Sequence, residues 1–251
     1  MRITVFDTET ISTNKPFVYN IGYLIYDTET NKTLLKKDFV VKEIWQNKEL
    51  FETAYYAEKR QIYINRMRAR KVKMLSFKDI LKEIENDINY FNVEIGYAFN
   101  SPFDTRVFEF NTDWFKKSNP LDNLKILDIA TFVHNKIAFT KEYQQFCEEN
   151  ELFTESGNYS TTAESVTRFL RNDNEFIEEH TALADSEIEL EILLECVKRG
   201  CEFDKEYKKY NSIPRRKTVK INVRNTTYEY ENIKRVKINK DKTEIELIWW
   251  V

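Results

Sequence analysis

The first forty residues alternate apolar and polar positions. "RITVFDTE", "FVYNIGYLIYD" and "TLLKKDFVVKEI" each carry the period of two that a half-buried strand requires. Between them, "STNKP" and "TETNK" supply turn chemistry, so the pattern predicts an antiparallel three-strand meander. The period then lengthens. "SFKDILKEIENDINYF" sets Phe77, Ile80, Leu81, Ile84 and Ile88 on one helical face, with Ser76 as its N-cap. "VEIGYAF" reads as a fourth strand, and "SPFDTRVFEFNTDWF" as a helix with Pro102 at its first position. "LKILDIATFV" reads as a fifth strand entering a helix, and two more helices are expected near 140–151 and 160–172. A last long helix begins near Ala182 and closes on "KRG", with basic residues at the negative end of its dipole and Gly200 as terminator.

Strands first, then alternating helix and strand, predict an α/β fold with a mixed sheet. Two segments depart from that plan. Residues 43–74 read as a helical insertion, basic and aromatic. After Pro214 short alternating runs return ("TVKINV", "TTYEYENI", "KTEIELIWWV"), which predict a small β appendage with a boundary near 211. The expected division is therefore residues 1–211 and 212–251.

Composition narrows the function classes. A chain of 251 residues, 41% apolar, can bury a sizeable core as one large domain with a small appendage. No stretch approaches the roughly 18 apolar residues of a membrane span. The start lacks the apolar core of a secretory signal, so no membrane partner and a cytoplasmic location are expected. Three cysteines form no CxxC pair and there are only two histidines, which disfavours zinc and predicts buried, reduced thiols. With four glycines and no GxGxxG or Walker loop, Gly-loop nucleotide sites are disfavoured too. The net charge of −3 hides an asymmetry: residues 57–73 carry +6 and residues 212–251 carry +5, leaving −14 elsewhere. An acidic body with basic margins suits metal ions at the centre and a polyanion at the edges.

The tetrapeptide Asp-Thr-Glu-Thr occurs twice, at residues 7–10 and 27–30. On a strand, alternate residues share a face, so Ile3, Val5, Asp7 and Glu9 form one stripe of two core residues followed by two acids. Acids that continue an apolar stripe are costly unless a cation meets them. Asp27 and Glu29 instead enter a polar hairpin loop, where water solvates them. Antiparallel pairing sends the second copy about 25 Å from the first at roughly 3.3 Å per residue, so the two cannot share a site.

Asp104 lies in the first turn of a helix that follows a strand, where α/β sheets place ligands. A capping box, Ser101-x-x-Asp104, is the competing reading. Asp185 shares an inward stripe with Ile188, Ile192 and Cys196, unusual for an acid without a partner. His180 precedes it by about a turn, in a loop that could cover the same place, while His134 reads as structural.

Asp7-Thr-Glu9 on the first strand, Asn100-x-x-x-Asp104 after the fourth and His180-x-x-x-x-Asp185 before the last helix resemble the three motifs of the DEDDh 3′→5′ exonucleases. The resemblance spans about residues 1–200, and small phage-encoded members are the nearest in character. It implies a ribonuclease H-like fold, with a five-stranded sheet of three antiparallel then two parallel strands. Position 181 is Thr where a sister group has Tyr, which favours the histidine branch.

By the same resemblance, Asp7, Glu9, Asp104 and Asp185 would hold two Mg²⁺ ions, with Mn²⁺ able to substitute, and His180 would act as general base. The products would be nucleoside 5′-monophosphates, from DNA rather than RNA. Thr10, Ile11 and Asn100 would meet the terminal nucleotide. Tyr55, Tyr56 and Tyr63, interleaved with Arg60, Arg66, Arg68 and Arg70, suit a single strand with a free 3′ end, rings on bases and guanidinium groups on phosphates. Docking of that segment onto a polymerase or another replication protein is the competing reading. A proofreading subunit, an endonuclease of the same fold and a catalytically inactive nucleic-acid-binding module are the rival functions.

Overall fold

A computed structural model describes residues 1–54 and 57–208, together with the backbone of four short strands between 218 and 249. The expected meander is present: β1 (Arg2–Thr10), β2 (Val18–Asp27) and β3 (Lys32–Val41) pair antiparallel in sequence. Chain reversal after β3 leads through two short helices, α1 (Lys42–Trp45) and α2 (Lys48–Phe51), and a 3₁₀ turn at Ala57–Lys59 into α3 (Arg60–Arg68). The insertion then ends in a strand the periodicity did not predict. At three residues, β4 (Lys73–Leu75) is too short to show a period, and it lies parallel to β3 at the sheet edge.

Next come α4 (Phe77–Phe91), β5 (Ile95–Ala98), α5 (Pro102–Phe115), β6 (Lys125–Asp128), α6 (Ile129–Lys136), α7 (Lys141–Glu149), α8 (Ala163–Arg171) and α9 (Ala182–Lys198). β5 joins β1 in parallel and β6 joins β5 in parallel, giving the order β4-β3-β2-β1-β5-β6. This is the mixed α/β sheet that was expected, with one edge strand added. Ser76, Thr140 and Thr162 cap α4, α7 and α8 by accepting backbone N–H groups.

Two core layers form, one on each face of the sheet. On one, Phe6, Tyr23 and Phe39 meet α4, α5 and the insertion. On the other, Ile3, Val5 and Leu24 meet α6 and α9 through Phe132, Ile192 and Cys196. The three cysteines are free and buried, as the sequence implied. Beyond residue 208, β7 (Thr218–Val223) pairs with β8 (Thr226–Glu231), and β9 (Ile233–Ile238) with β10 (Ile245–Trp249), both antiparallel. The expected boundary near 211 lies outside the described residues, as do Tyr55 and Tyr56. Among the described residues no helix is long and apolar enough to cross a membrane.

Candidate active site

The site is set by how closely α9 approaches the sheet. A Cβ placed on Gly22 would fall 2.1 Å from the Leu183 nitrogen, so only glycine admits the helix start at that point of β2. Ser186 donates a hydrogen bond to the Gly22 carbonyl at 3.2 Å. Asp7 is the register partner of Gly22 across β1, and Glu9 that of Asn20. The first turn of α9, with Asp185, is thereby brought over the two acids of β1.

Asn20 fixes the same junction from below. Fully buried, it accepts from the Ala182 N–H at 2.8 Å and donates to Asp38 at 2.6 Å. Its own partners are thus satisfied while it supplies one of the donors' partners that a helix N-terminus lacks. Nothing in the strand pattern distinguished Asn20 or Gly22, because the α9 residues they meet lie about 160 positions away in the chain.

Asp104 is 2% exposed and accepts from the Thr8 hydroxyl at 2.6 Å. The capping-box reading therefore fails: Ser101 has helical backbone angles and makes no side-chain cap. Desolvation is the main force on all the acids. It raises Asp7 and Glu9 well above the ordinary carboxylate range, helped at Asp7 by the charges of Asp104, Glu189, Asp185 and Glu9. Asp104 is raised to about 7 and Asp185 to about 8, chiefly by the same burial. Ligand atoms of Glu9, His180 and Asp185 lie within 4.8 Å of one another. Asp7 and Asp104 adjoin this group, since the charges of Asp104 and Asp185 both act on Asp7 and on Glu9.

Glu189 is a fifth acid that sequence reasoning missed. It stands one helical turn after Asp185, and that spacing was the available signal. It is 4% exposed, and its pKa is pushed well up by burial and then by Asp104. One oxygen each of Glu189 and Asp185 is buried without a hydrogen-bond partner among the described residues. Such atoms are expensive unless a cation or proton meets them.

His180 has a left-handed backbone, φ 49°, and a half-buried ring. Burial lowers its pKa, with the Lys59 ammonium adding to the effect and Glu164 opposing it. Its Nδ1 lies 3.8 Å from a Glu178 oxygen. Burial also raises Glu178, to about 7. The second Asp-Thr-Glu-Thr copy lies at the far end of β1, where Asp27 accepts from the Glu29 N–H at 2.9 Å and Glu29 pairs with the chain's amino group at 2.8 Å.

The expected substrate residues divide. Tyr63 is a correction: it is fully buried, edge-on to Tyr19 and Trp45 at 5.8 and 5.6 Å, with its hydroxyl donating to Asn20. It cannot stack on a base, because its ring fills the core between insertion and sheet. Arg66 is partly buried, and its guanidinium is held by Glu179 and Thr181. Arg60 stacks over Trp45 and Phe51 at 4.6 and 4.8 Å. Arg68 and Arg70 are exposed. Ile11 is 5% exposed and packs into the core, whereas Thr10 is partly open beside Glu9. Asn100 is exposed with φ 60° and donates its backbone N–H to Asp128 at 2.8 Å.

No family model matches the chain, and no curated protein does. Solved structures do match, and the class of fold they define is that of the DEDDh 3′→5′ exonucleases, the ribonuclease H-like mixed sheet with flanking helices. One is the nuclease domain of 3′hExo, a DEDDh family member, bound to rAMP, at 12% identity and TM-score 0.51, covering 82% of this chain and 97% of that one. Another is E. coli exonuclease I in complex with a dT13 oligonucleotide, at 14% identity and TM-score 0.50, covering 79% of this chain. The match takes in only 41% of that enzyme's chain. A further exonuclease I structure matches at 16% identity and TM-score 0.50, over 77% of this chain and 40% of that one.

Proposed function

We propose that this chain is a metal-dependent 3′→5′ exonuclease that releases nucleoside 5′-monophosphates. The observation that supports this most is the convergence of Asp7, Glu9, Asp104 and Asp185, from three distant parts of the chain, beside a histidine. Residues 1–211 would form the nuclease domain and 212–251 an appendage to it.

The residues fit a divalent-cation centre. All the acids offer hard oxygen ligands, which suit Mg²⁺ or Mn²⁺, and one buried Asp185 oxygen has no hydrogen-bond partner among the described residues. Asp7, Glu9, Asp104 and Asp185 would hold the ions. When bound, two such ions offset the carboxylate charge and supply Lewis acidity at a scissile phosphate. The chain's own residues do the rest. The Thr8 hydroxyl keeps Asp104 oriented by donating to one oxygen. His180, biased to its neutral form by burial and Lys59, takes the proton of the attacking water. The imidazolium so formed faces the Glu178 and Glu164 carboxylates.

Thr10 and Asn100 are the open polar groups we place against the terminal nucleotide. The polymer is DNA in our reading; the structural neighbours carry rAMP in one case and dT13 in another. The deciding experiment incubates 5′-labelled single-stranded DNA, duplex DNA and RNA with Mg²⁺, using Asp7→Ala as the blank. A ladder shortening from the 3′ end is expected on single-stranded DNA. An end-blocked or circular strand cut equally well would replace this reading with an endonuclease.

A further inference from the structure

The insertion holds the loop that carries His180, and it does so from one stripe. Lys59, Tyr63 and Arg66 are spaced by four and three residues, which puts them on one side of the 3₁₀ turn and α3. Tyr63 is the anchor. Its ring lies in the aromatic cluster, and its hydroxyl donates to Asn20 at 2.9 Å, the same oxygen that accepts from the Ala182 N–H.

With Tyr63 fixed, the two cations reach either side of His180. Lys59 Nζ donates to the Glu179 carbonyl at 2.6 Å. Arg66 donates to the Thr181 hydroxyl at 2.8 Å through Nη1 and to the Glu179 carboxylate through Nη2. The same Nη1 lies 3.6 Å from buried Asp38, which braces the guanidinium from behind. Residues 179, 181 and 182 are therefore each tied to the insertion, directly or through Asn20. Between them His180 keeps a φ of 49°, a backbone state that a non-glycine residue retains only where its surroundings impose it.

We propose that the insertion is a clamp that sets the position of His180, with Arg66 and Lys59 as positioning residues. The catalytic part of this inference rests on the exonuclease reading; the mechanical part does not. A guanidinium fork can hold two partners at fixed angles, which an ammonium cannot, so Arg66 carries the larger share. A base displaced by an ångström from its water loses most of its contribution, which is about 10²–10⁴-fold for general base catalysis.

The test uses Arg66→Gln, Arg66→Lys and Lys59→Gln, each alone and combined with His180→Ala. Hydrogen–deuterium exchange of the full chain reports the loop directly: amides of 178–182 should exchange faster in Arg66→Gln and Lys59→Gln. Unchanged exchange there would overturn the clamp. For activity, Arg66→Gln should lower kcat about 10–100-fold with KM within about twofold, and Arg66→Lys should recover part of the loss. In the His180→Ala background the same change should cost less than about twofold, because its route to the reaction is already gone. A loss that sits in KM and persists without His180 would mean a substrate-docking arm and overturn the proposal. Equal kcat losses in both backgrounds, with a lowered Tm, would overturn it in favour of a purely structural role. A wild-type protein without metal-dependent nuclease activity would instead sink the exonuclease reading, and the exchange data would still decide the clamp. Lys59→Gln removes only a partly exposed side chain, so it keeps the test open if the Arg66 variants do not fold.

Discussion

Asp7 and His180 stand in one site but bear on the reaction differently. Asp7 lies among four other carboxyls, Asp104, Glu189, Asp185 and Glu9, whose charges all raise its pKa. A cation is the natural counter-charge for that cluster, and removing Asp7 weakens its binding. His180 at the rim adds proton transfer, which supplies roughly 10²–10⁴-fold. His180→Ala should therefore leave a residual rate about 10²–10⁴ below wild type, with Mn²⁺ binding intact. Asp7→Ala should show no measurable turnover and weaker Mn²⁺ binding by calorimetry. Equal residual rates, or equal metal affinities, in the two variants would contradict the division of roles. Thr8 offers a finer check: Thr8→Val removes a side-chain hydroxyl that donates to Asp104. An activity loss of about 10–100-fold is expected, in line with roughly 1.5–3 kcal/mol for a hydrogen bond to a charged group.

At the level of elements, the contact between α9 and β2 decides whether the acids meet at all. Gly22→Ala would force a methyl onto the Leu183 backbone, where no side-chain rearrangement can make room. Overpacking of this kind costs about 1–3 kcal/mol, and here it also lifts α9 away from β1. Urea melts should show that loss, and Mn²⁺ affinity should fall with it; a variant as stable and as metal-avid as wild type would mean that the close approach is not what aligns Asp185 with Asp7.

This contact also marks where the sequence stops being legible. Asp7 and Glu9 could be found because alternation on one strand put acids behind Ile3 and Val5, and Asp185 because it broke an apolar helical stripe. Those are local patterns, and they survive without knowledge of the fold. Gly22 and Asn20 act on residues brought to them by the whole chain, so a strand read alone shows only a glycine and a polar residue in an apolar run. Tyr63 misled for a related reason. A basic, aromatic helix has the same composition whether its rings face a nucleic acid or the sheet beneath, and only the position of Tyr19 and Trp45 decides. The edge strand β4 offered three residues, less than two periods of any pattern.

For the molecule as a whole, the site is a standing electrostatic burden. Asp104, Asp185 and Glu178 are raised to about 7, 8 and 7, and Asp38 to about 6, while burial also raises Asp7, Glu9 and Glu189 well above the ordinary carboxylate range. In the unfolded chain carboxyls titrate near about 4. Between roughly pH 4 and pH 8 the folded, metal-free protein therefore holds more protons than the unfolded chain, and stability falls as pH rises through that window. His180 works the other way, since its lowered pKa lets the unfolded chain hold the extra proton near neutrality; Asp27, Glu83 and Glu195, also lowered, oppose the trend only at the acid edge of the window, so the seven raised carboxyls prevail above it. Divalent cations bind the ionised carboxylates of the folded state and reverse the balance. With chelator present, Tm should decline from pH 5.5 to pH 8, and the stabilisation produced by added Mg²⁺ should grow over the same range. A metal-free Tm that is level or rising across that span would mean the carboxyls are not held together in the folded protein. The basic insertion gains a second meaning from this balance, because Lys59 lowers Glu9 and Asp185 while it holds the Glu179 carbonyl. Lys59→Gln should therefore steepen the metal-free decline of Tm with pH, since it removes a positive charge that favours the ionised acids. The same slope in variant and wild type would show that Lys59 acts on the loop alone.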